Sequence, residues 1–131
     1  MKFKAIISID YDDTIVYQDF PRSGTIKPYA KDVINRLYDE GHYILIWTCR
    51  AFERLETAKD YLKECGIKYH LVNENLIHNI EKYGGDTRKQ SAHIYIDDRQ
   101  LGGIPDNWLV IEEMIRRDIV KAEIIENLKD R

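Results

Sequence analysis

The alternation of short apolar runs with amphipathic stretches limits this chain of 131 residues to very few fold classes. The apolar runs have the composition of buried strands, and there are five of them: residues 3–9, 43–48, 67–72, 94–96 and 108–111. The stretches between and after them have apolar residues at helical spacing, which predicts helices over about residues 28–40, 51–65, 73–83 and 112–129. Strands joined by helical crossovers pair in parallel, so the sequence predicts an α/β fold with a parallel sheet.

Local signals set the helix boundaries and the extent of the domain. Pro28 is typical of the start of a helix, and Gly41 and Gly66 are typical of helix ends. There is no repeat, linker or low-complexity tract, so residues 1–131 are predicted to form one domain.

Composition narrows the function classes and the compartment. The chain is 44% hydrophobic and 33% charged, as in ordinary globular proteins, and no apolar run is long enough to span a bilayer. Met1-Lys2-Phe3-Lys4 leads into a strand without a signal segment, and Cys49 and Cys65 have no disulfide or metal-finger spacing. We therefore expect a cytoplasmic protein without a membrane partner. The net charge of -3 gives no general basic footprint for nucleic acid, but it leaves a local basic patch and a nucleic-acid substrate open.

Polar residues follow three of the predicted strands at the point where each strand ends. Strand one is followed by Asp10-Tyr11-Asp12-Asp13-Thr14, strand two ends in Thr48-Cys49-Arg50, and strand four ends in Asp97-Asp98-Arg99. Parallel sheets bind ligands beyond the carboxyl ends of their strands, so these groups are expected to meet at one edge. Several buried carboxylates need opposite charge, and a hard divalent cation with oxygen ligands is the usual source.

These residues resemble the four motifs of the haloacid dehalogenase-like superfamily of phosphatases and phosphotransferases. The matching positions are Asp10, Asp12 and Thr14, then Thr48, a lysine before strand four, and Asp97-Asp98. The resemblance spans about residues 3–98, and the chain looks like a small member without a cap domain. It implies a Rossmann-like three-layer α/β/α sandwich with sheet order 5-4-1-2-3, a Mg²⁺ cofactor and an aspartyl-phosphate intermediate.

The resemblance also implies a role for each acid. Asp10 would be the nucleophile, and Asp12 would be the general acid and base. The metal would be held by Asp10, the backbone carbonyl of Asp12 and Asp97, with support from Asp98. Thr14 would fix the loop without contacting substrate.

Phosphate binding is expected from Thr48 and from a lysine. Cys49 and Arg50, which follow Thr48 directly, are further candidates for substrate binding. Lys82 and Lys89 both precede strand four, and we favour Lys89 because Lys82 near a helix end has an ordinary dipole explanation.

Arg50 and Arg99 flank the expected site, and two roles stay open for each: binding a second anionic group, or forming a structural ion pair. Asp13 is interpreted as a loop-bracing or solvent-facing acid. Gly102-Gly103 is interpreted as a turn near the site entrance.

Two features outside the motifs were also weighed. The four histidines lack ligand spacing, so no metal role is expected for them: His42, His70, His78 and His93. Val120 and Ile124 widen the apolar face of the last helix, which indicates either a homo-oligomer contact or a broad core face.

Three alternative functions were considered. A response-regulator receiver fits poorly, because its acceptor Asp should end a middle strand, whereas strand two ends in Thr48 and strand three in Val72-Asn73. A non-catalytic phosphate- or metal-binding module would not require both Asp10 and Asp12. Phosphoryl transfer to an acceptor other than water uses the same intermediate, and the sequence does not separate it from hydrolysis.

The two places where such proteins carry a cap are short here. Residues 15–26 and 73–92 both fall below the roughly 40 residues that fold alone without a staple. The first is predicted to form a flap-like hairpin with its turn near residues 20–24. An open site favours a phosphorylated substrate that is large, or closure by another subunit.

Overall fold

In the computed structural model, which describes residues 2–129, the chain forms six strands and four helices. The strands are β1 (Ile6–Ile9), β2 (Val16–Tyr17), β3 (Thr25–Ile26), β4 (Tyr43–Ile46), β5 (Leu71–Val72) and β6 (Ile94–Ile96). The helices are α1 (Ala30–Asp39), α2 (Phe52–Cys65), α3 (Ile77–Tyr83) and α4 (Trp108–Lys129). No helix in this part of the chain combines the length and the apolar character needed to cross a membrane.

Four of the strands form a parallel sheet in the order β5-β4-β1-β6, which confirms the predicted fold class. The full order 5-4-1-2-3 is not observed among residues 2–129, because the prediction of a fifth strand at 108–111 is wrong. These residues form the first turn of α4. Asn107 explains the difference: its side-chain oxygen accepts a hydrogen bond from the backbone N–H of Leu109 at 2.9 Å, as a helix N-cap does.

The two faces of this sheet are covered differently. Ile7 and Ile9 of β1 point into the main core, to which α1, α2 and α4 all contribute buried residues. Ile6 points to the opposite face, where a smaller apolar cluster includes Leu76 from the segment after β5. This alternation follows from the two-residue period of a strand. The smaller cluster contains no residue of α1, α2 or α4, so the second face has much less helical cover.

Strands β2 and β3 form the antiparallel hairpin that was predicted over residues 15–26. Gly24 has a φ of 79°, and a Cβ at this position would collide with the carbonyl oxygen of Tyr17. Only glycine fits this turn without strain. We call residues 18–24, at the tip of the hairpin, the flap.

Several predicted boundaries are confirmed or moved. Gly41 and Gly66 follow α1 and α2 as expected, both with positive φ. Helix α3 begins four residues later than predicted: Asn73 is left-handed, with a φ of 55°, and Leu76, directly before the helix, is extended. Val120 and Ile124 are 57% and 53% exposed, so they do not belong to a broad core face.

Candidate functional site

Three carboxylates meet beyond the carboxyl ends of β1 and β6. Asp10 follows β1, and Asp97 and Asp98 follow β6. Oxygen atoms of all three lie within 4.8 Å of one another. The backbone N–H of Asp10 donates to the carbonyl of Ile96 at 2.9 Å, so the sheet hydrogen bonding itself holds these strand ends together. The predicted convergence of these three acids is confirmed.

The crowding changes the acidity of Asp10. Burial, a hydrogen bond with Asp98 and the charges of Asp97 and Asp98 raise the pKa of Asp10 from 3.8 to about 8. Without a nearby cation, Asp10 therefore holds a proton at neutral pH. The donor set of three carboxylates, without His or Cys, fits a hard divalent cation.

Thr14 fixes two members of this cluster. Its hydroxyl donates to Asp10 Oδ2 at 3.2 Å and accepts from the backbone N–H of Asp98 at 3.0 Å. Its carbonyl accepts a hydrogen bond from Trp108 Nε1 at 2.9 Å. Thr14 is fully buried, so it acts as a brace within the loop, as expected.

The Asp12 carboxylate lies outside that cluster and is held by Arg50. The guanidinium Nε and Nη2 donate to the two carboxylate oxygens at 2.9 and 2.8 Å, a bidentate ion pair. The remaining N–H groups of Arg50 donate to the carbonyls of Pro21, Arg22 and Arg54. Arginine has five N–H donors, and all five are used here. Of the two open roles for Arg50, the structure favours the ion pair and leaves no donor for direct substrate binding.

Arg50 also fastens the flap to the site. Its guanidinium carbon lies 5.1 Å from the ring centroid of Tyr11 and 5.2 Å from that of Phe20. The hydroxyl of Tyr11 donates to the carbonyl of Ser23 at 2.7 Å. The position of the flap and the position of the Asp12 carboxylate are therefore set by the same side chain.

The base of the hairpin is anchored by a buried lysine. Lys27 donates to the carbonyl of Asp13 at 2.7 Å and pairs with Asp106 at 3.1 Å. Asp13 Oδ1 accepts a hydrogen bond from the N–H of Gln18 at 2.9 Å. The interpretation of Asp13 as a loop-bracing acid is confirmed.

Thr48 is positioned by the side-chain amide of Asn73, which pairs with its backbone N–H and carbonyl at 2.8 and 3.0 Å. The Thr48 hydroxyl accepts from the backbone N–H of Arg50 at 3.1 Å, and its hydrogen can still be donated. Thr48 and the exposed Cys49 line a cleft of about 370 Å³. We call it the acidic cleft; its other lining residues are Asp10, Asp12, Asp13, Gln18, Asp97, Asp98 and Arg99.

A second cleft, which shares Asp10, Asp97 and Arg99 with the acidic cleft, contains Lys89. Its volume is about 450 Å³, and we call it the aromatic cleft; its lining is Ser8, Asp10, Trp47, Lys89, Tyr95, Ile96, Asp97, Arg99 and Gln100. Lys89 Nζ lies 4.8 Å from the ring centroid of Tyr95. Lys82, in the last turn of α3, lies over Tyr83 instead and lines neither cleft. The geometry supports the choice of Lys89 over Lys82.

Two buried amides that sequence reasoning missed hold the segment carrying Lys89. The amide nitrogen of Asn75 donates to Asp86 Oδ1 at 2.8 Å, and its oxygen accepts from the N–H of Ser91 at 2.6 Å. Gln90, fully buried, donates to the carbonyl of Ile46 at 2.9 Å. Gln90 directly follows Lys89 in the sequence, but its hydrogen-bond partners could not be predicted because they lie far away in the sequence.

Three of the histidines have a structural contact. The Nδ1 atoms of His42, His70 and His93 each accept a backbone N–H near the start of a sheet strand, at 2.9–3.0 Å. The hydrogen bonds of these rings explain their presence without a ligand.

Comparison with known proteins shows similarity to a solved structure. No protein-family model and no curated protein matches the chain. A solved structure, described as that of the conserved protein coded by a locus from Bacteroides thetaiotaomicron, is similar with a TM-score of 0.78. The two sequences are 34% identical, and the match covers 93% of this chain and 98% of that one. With this identity over nearly the full length of both, this chain belongs to the same family as the conserved Bacteroides protein.

Proposed function

We propose that this protein is a Mg²⁺-dependent phosphatase of the haloacid dehalogenase-like type, which hydrolyses a phosphate monoester through an aspartyl phosphate on Asp10. The observation that carries the proposal is the cluster of Asp10, Asp97 and Asp98, with Thr48 and Lys89 at its sides. The order β5-β4-β1-β6 of the four observed strands agrees with the 4-1-2-3 part of the sheet order that the resemblance implies.

The acids divide the chemistry between them. Asp12 enters the cycle as the carboxylic acid, so one of its oxygens carries a proton while the other can still accept from Arg50. The Asp10 carboxylate attacks phosphorus while the bond from phosphorus to the alcohol oxygen breaks, and Asp12 gives its proton to that oxygen. Asp12 then takes a proton from water, whose oxygen attacks the phosphorus of the aspartyl phosphate. Inorganic phosphate leaves, and both side chains return to their starting states.

Positive charge and hydrogen-bond donors stabilise the negative charge of the transferred phosphoryl group. Asp10, the Asp12 carbonyl and Asp97, with Asp98 in support, would hold Mg²⁺, whose charge would keep Asp10 ionised and offset the charge of the phosphoryl oxygens. Thr48 donates its hydroxyl hydrogen to the phosphoryl group, and Lys89 adds a second positive charge.

The Asp12–Arg50 pair favours a catalyst over a passive binding module. A module that only binds phosphate would not require a second carboxylate beside the cluster, whereas acid and base catalysis requires one, held in a fixed position as Arg50 holds Asp12. Transfer to another acceptor shares the first half of the reaction, so the product must be identified.

The test is release of inorganic phosphate from a panel of monoesters, with and without Mg²⁺. Asp10→Asn keeps the shape but removes the nucleophile, and we expect turnover to fall by at least about 10³-fold. Asp13→Asn is the matched control, because Asn can still accept from Gln18, and it should retain activity within about tenfold. Retained turnover in Asp10→Asn would refute the proposal. Phosphate recovered on another acceptor would reassign the enzyme as a phosphotransferase.

A further inference from the structure

Two partly exposed aromatic side chains line the same cleft as Asp10. Trp47 directly follows β4 and is 36% exposed, and Tyr95 in the middle of β6 is 38% exposed. Both belong to the sheet face that has little helical cover, and both line the aromatic cleft. Single exposed aromatics are common, but a pair inside a cleft that also contains Asp10 indicates a binding surface.

The geometry of the pair suits a flat ligand. The ring centroids are 6.2 Å apart and the ring planes meet at 53°, so the rings form a corner. A planar group can stack on one ring with its edge toward the other. The volume of about 450 Å³ lies in the range of small-molecule sites, roughly 300–1,000 Å³.

The charges of the cleft suit an anion attached to that flat group. Lys89 lies over the Tyr95 ring and forms no ion pair within 4.0 Å with any residue from 2 to 129. Arg99 is exposed and lines both clefts. A phosphate at Asp10 would therefore have cations beside it and an aromatic surface within one small cleft.

We propose that the aromatic cleft binds the base of a nucleotide whose phosphate is placed at Asp10. The inference rests on the proposed function and names its substrate class. The same chemistry is found in a free nucleoside monophosphate and in the phosphorylated end of a nucleic-acid strand. Stacking of a base on an aromatic side chain is tolerant of base identity, so we expect little preference among the four bases.

The sharpest test compares adenosine 5′-monophosphate with ribose 5-phosphate, because the two esters share the same leaving oxygen and differ in the base. We expect kcat/KM to be about 10- to 100-fold higher for the nucleotide, from base stacking. Trp47→Ala should reduce kcat/KM for the nucleotide about tenfold, mainly through KM, and should leave ribose 5-phosphate within twofold. Tyr83→Ala is the matched control: Tyr83 also has a lysine over its ring, but it lines neither cleft.

A binding measurement separates this inference from the proposed function. Titration calorimetry of the Asp10→Asn variant with adenosine 5′-monophosphate and Mg²⁺ should show binding that is weakened about tenfold by adding Trp47→Ala. If kcat/KM is equal for both esters and Trp47→Ala does not change it, the nucleotide inference is wrong. That result does not contradict the proposed phosphatase activity. Trp47-dependent binding without phosphate release from any ester overturns the phosphatase and upholds the nucleotide site.

A third substrate distinguishes free nucleotides from phosphorylated nucleic-acid ends as the natural substrate. A 5′-phosphorylated oligonucleotide turned over faster than the mononucleotide identifies strand ends as the source. The reverse order identifies free nucleotides. Failure of both to exceed ribose 5-phosphate contradicts the inference.

Discussion

Two basic residues of the candidate site, Arg50 and Lys89, differ in the contacts that they make. Arg50 is 3% exposed, and every N–H of its guanidinium is bonded to the Asp12 carboxylate or to a backbone carbonyl. Lys89 is exposed and lies over one aromatic ring at the wall of an open cleft. The difference teaches that sequence proximity to a site does not define a role: Arg50 positions other groups, whereas Lys89 is free to meet an anion.

Removal of Arg50 should give the largest effect. Arg50→Ala leaves the Asp12 carboxylate unpaired and releases the flap, and breaking a buried ion pair costs about 3–5 kcal/mol. Because the Asp12 side chain is 26% exposed, we expect the lower end of that range, about 3 kcal/mol in a urea unfolding measurement.

Catalysis distinguishes positioning from stability in that variant. We expect kcat to fall about 10²-fold or more at a temperature where Arg50→Ala is still folded, with partial rescue by millimolar guanidinium. Full kcat in the folded variant would show that Arg50 is only a structural residue.

Removal of Lys89 should give a smaller effect of a different kind. Lys89→Ala removes a charge from an exposed side chain, so stability should change by less than about 0.5 kcal/mol. The loss should fall on phosphate binding, with KM raised about 10- to 100-fold by analogy with other charge-assisted contacts. Lys82→Ala is the control, and its KM should match that of the wild type. If Lys82→Ala raises KM more than Lys89→Ala does, the phosphate-binding lysine is Lys82.

The smallest effect concerns pH and links Asp10 to the metal. The pKa of Asp10 is raised by burial, so the folded protein keeps a proton that the unfolded chain releases above pH 3.8. The metal-free protein should therefore lose stability as pH rises from about 4 to about 8. Allowing for solvent exposure, we expect about 1–2 kcal/mol, measured as urea unfolding across that window.

Two additions sharpen this pH experiment. Asp10→Asn should flatten the dependence, because the amide does not titrate. Mg²⁺ should raise the stability of the wild type at pH 8 more than that of Asp10→Asn. Stability of the metal-free wild type that rises with pH over this window would contradict the account.

The parts of the site that sequence could anticipate are those fixed locally. Asp10, Asp97 and Asp98 follow predicted strands, and neighbouring strand ends meet in any parallel sheet, so their convergence followed from spacing. The hairpin followed from the short segment between β1 and α1.

The parts that escaped prediction depend on distant partners. The five guanidinium hydrogen bonds of Arg50 join residues from the first loop, the flap and α2. No local sequence pattern predicts them. Asn107 has a local signal as a helix cap, but the apolar run after it is too short to separate strand from helix by periodicity alone. The amide of Gln90 reaches β4, which lies 44 residues away in sequence.

The most direct measurement of the central claim is the site of phosphorylation. Asp12→Asn keeps a side chain that can still bond to Arg50 but lacks the proposed acid and base, so both steps should slow. With an aryl phosphate, whose leaving group needs little protonation, formation should outrun hydrolysis and an acyl phosphate should accumulate. After incubation with substrate and Mg²⁺ and an acid quench, peptide mapping by mass spectrometry should find phosphate on Asp10. Phosphate found on another residue would contradict the account. So would turnover by the wild type if neither the wild type nor Asp12→Asn carries phosphate on Asp10.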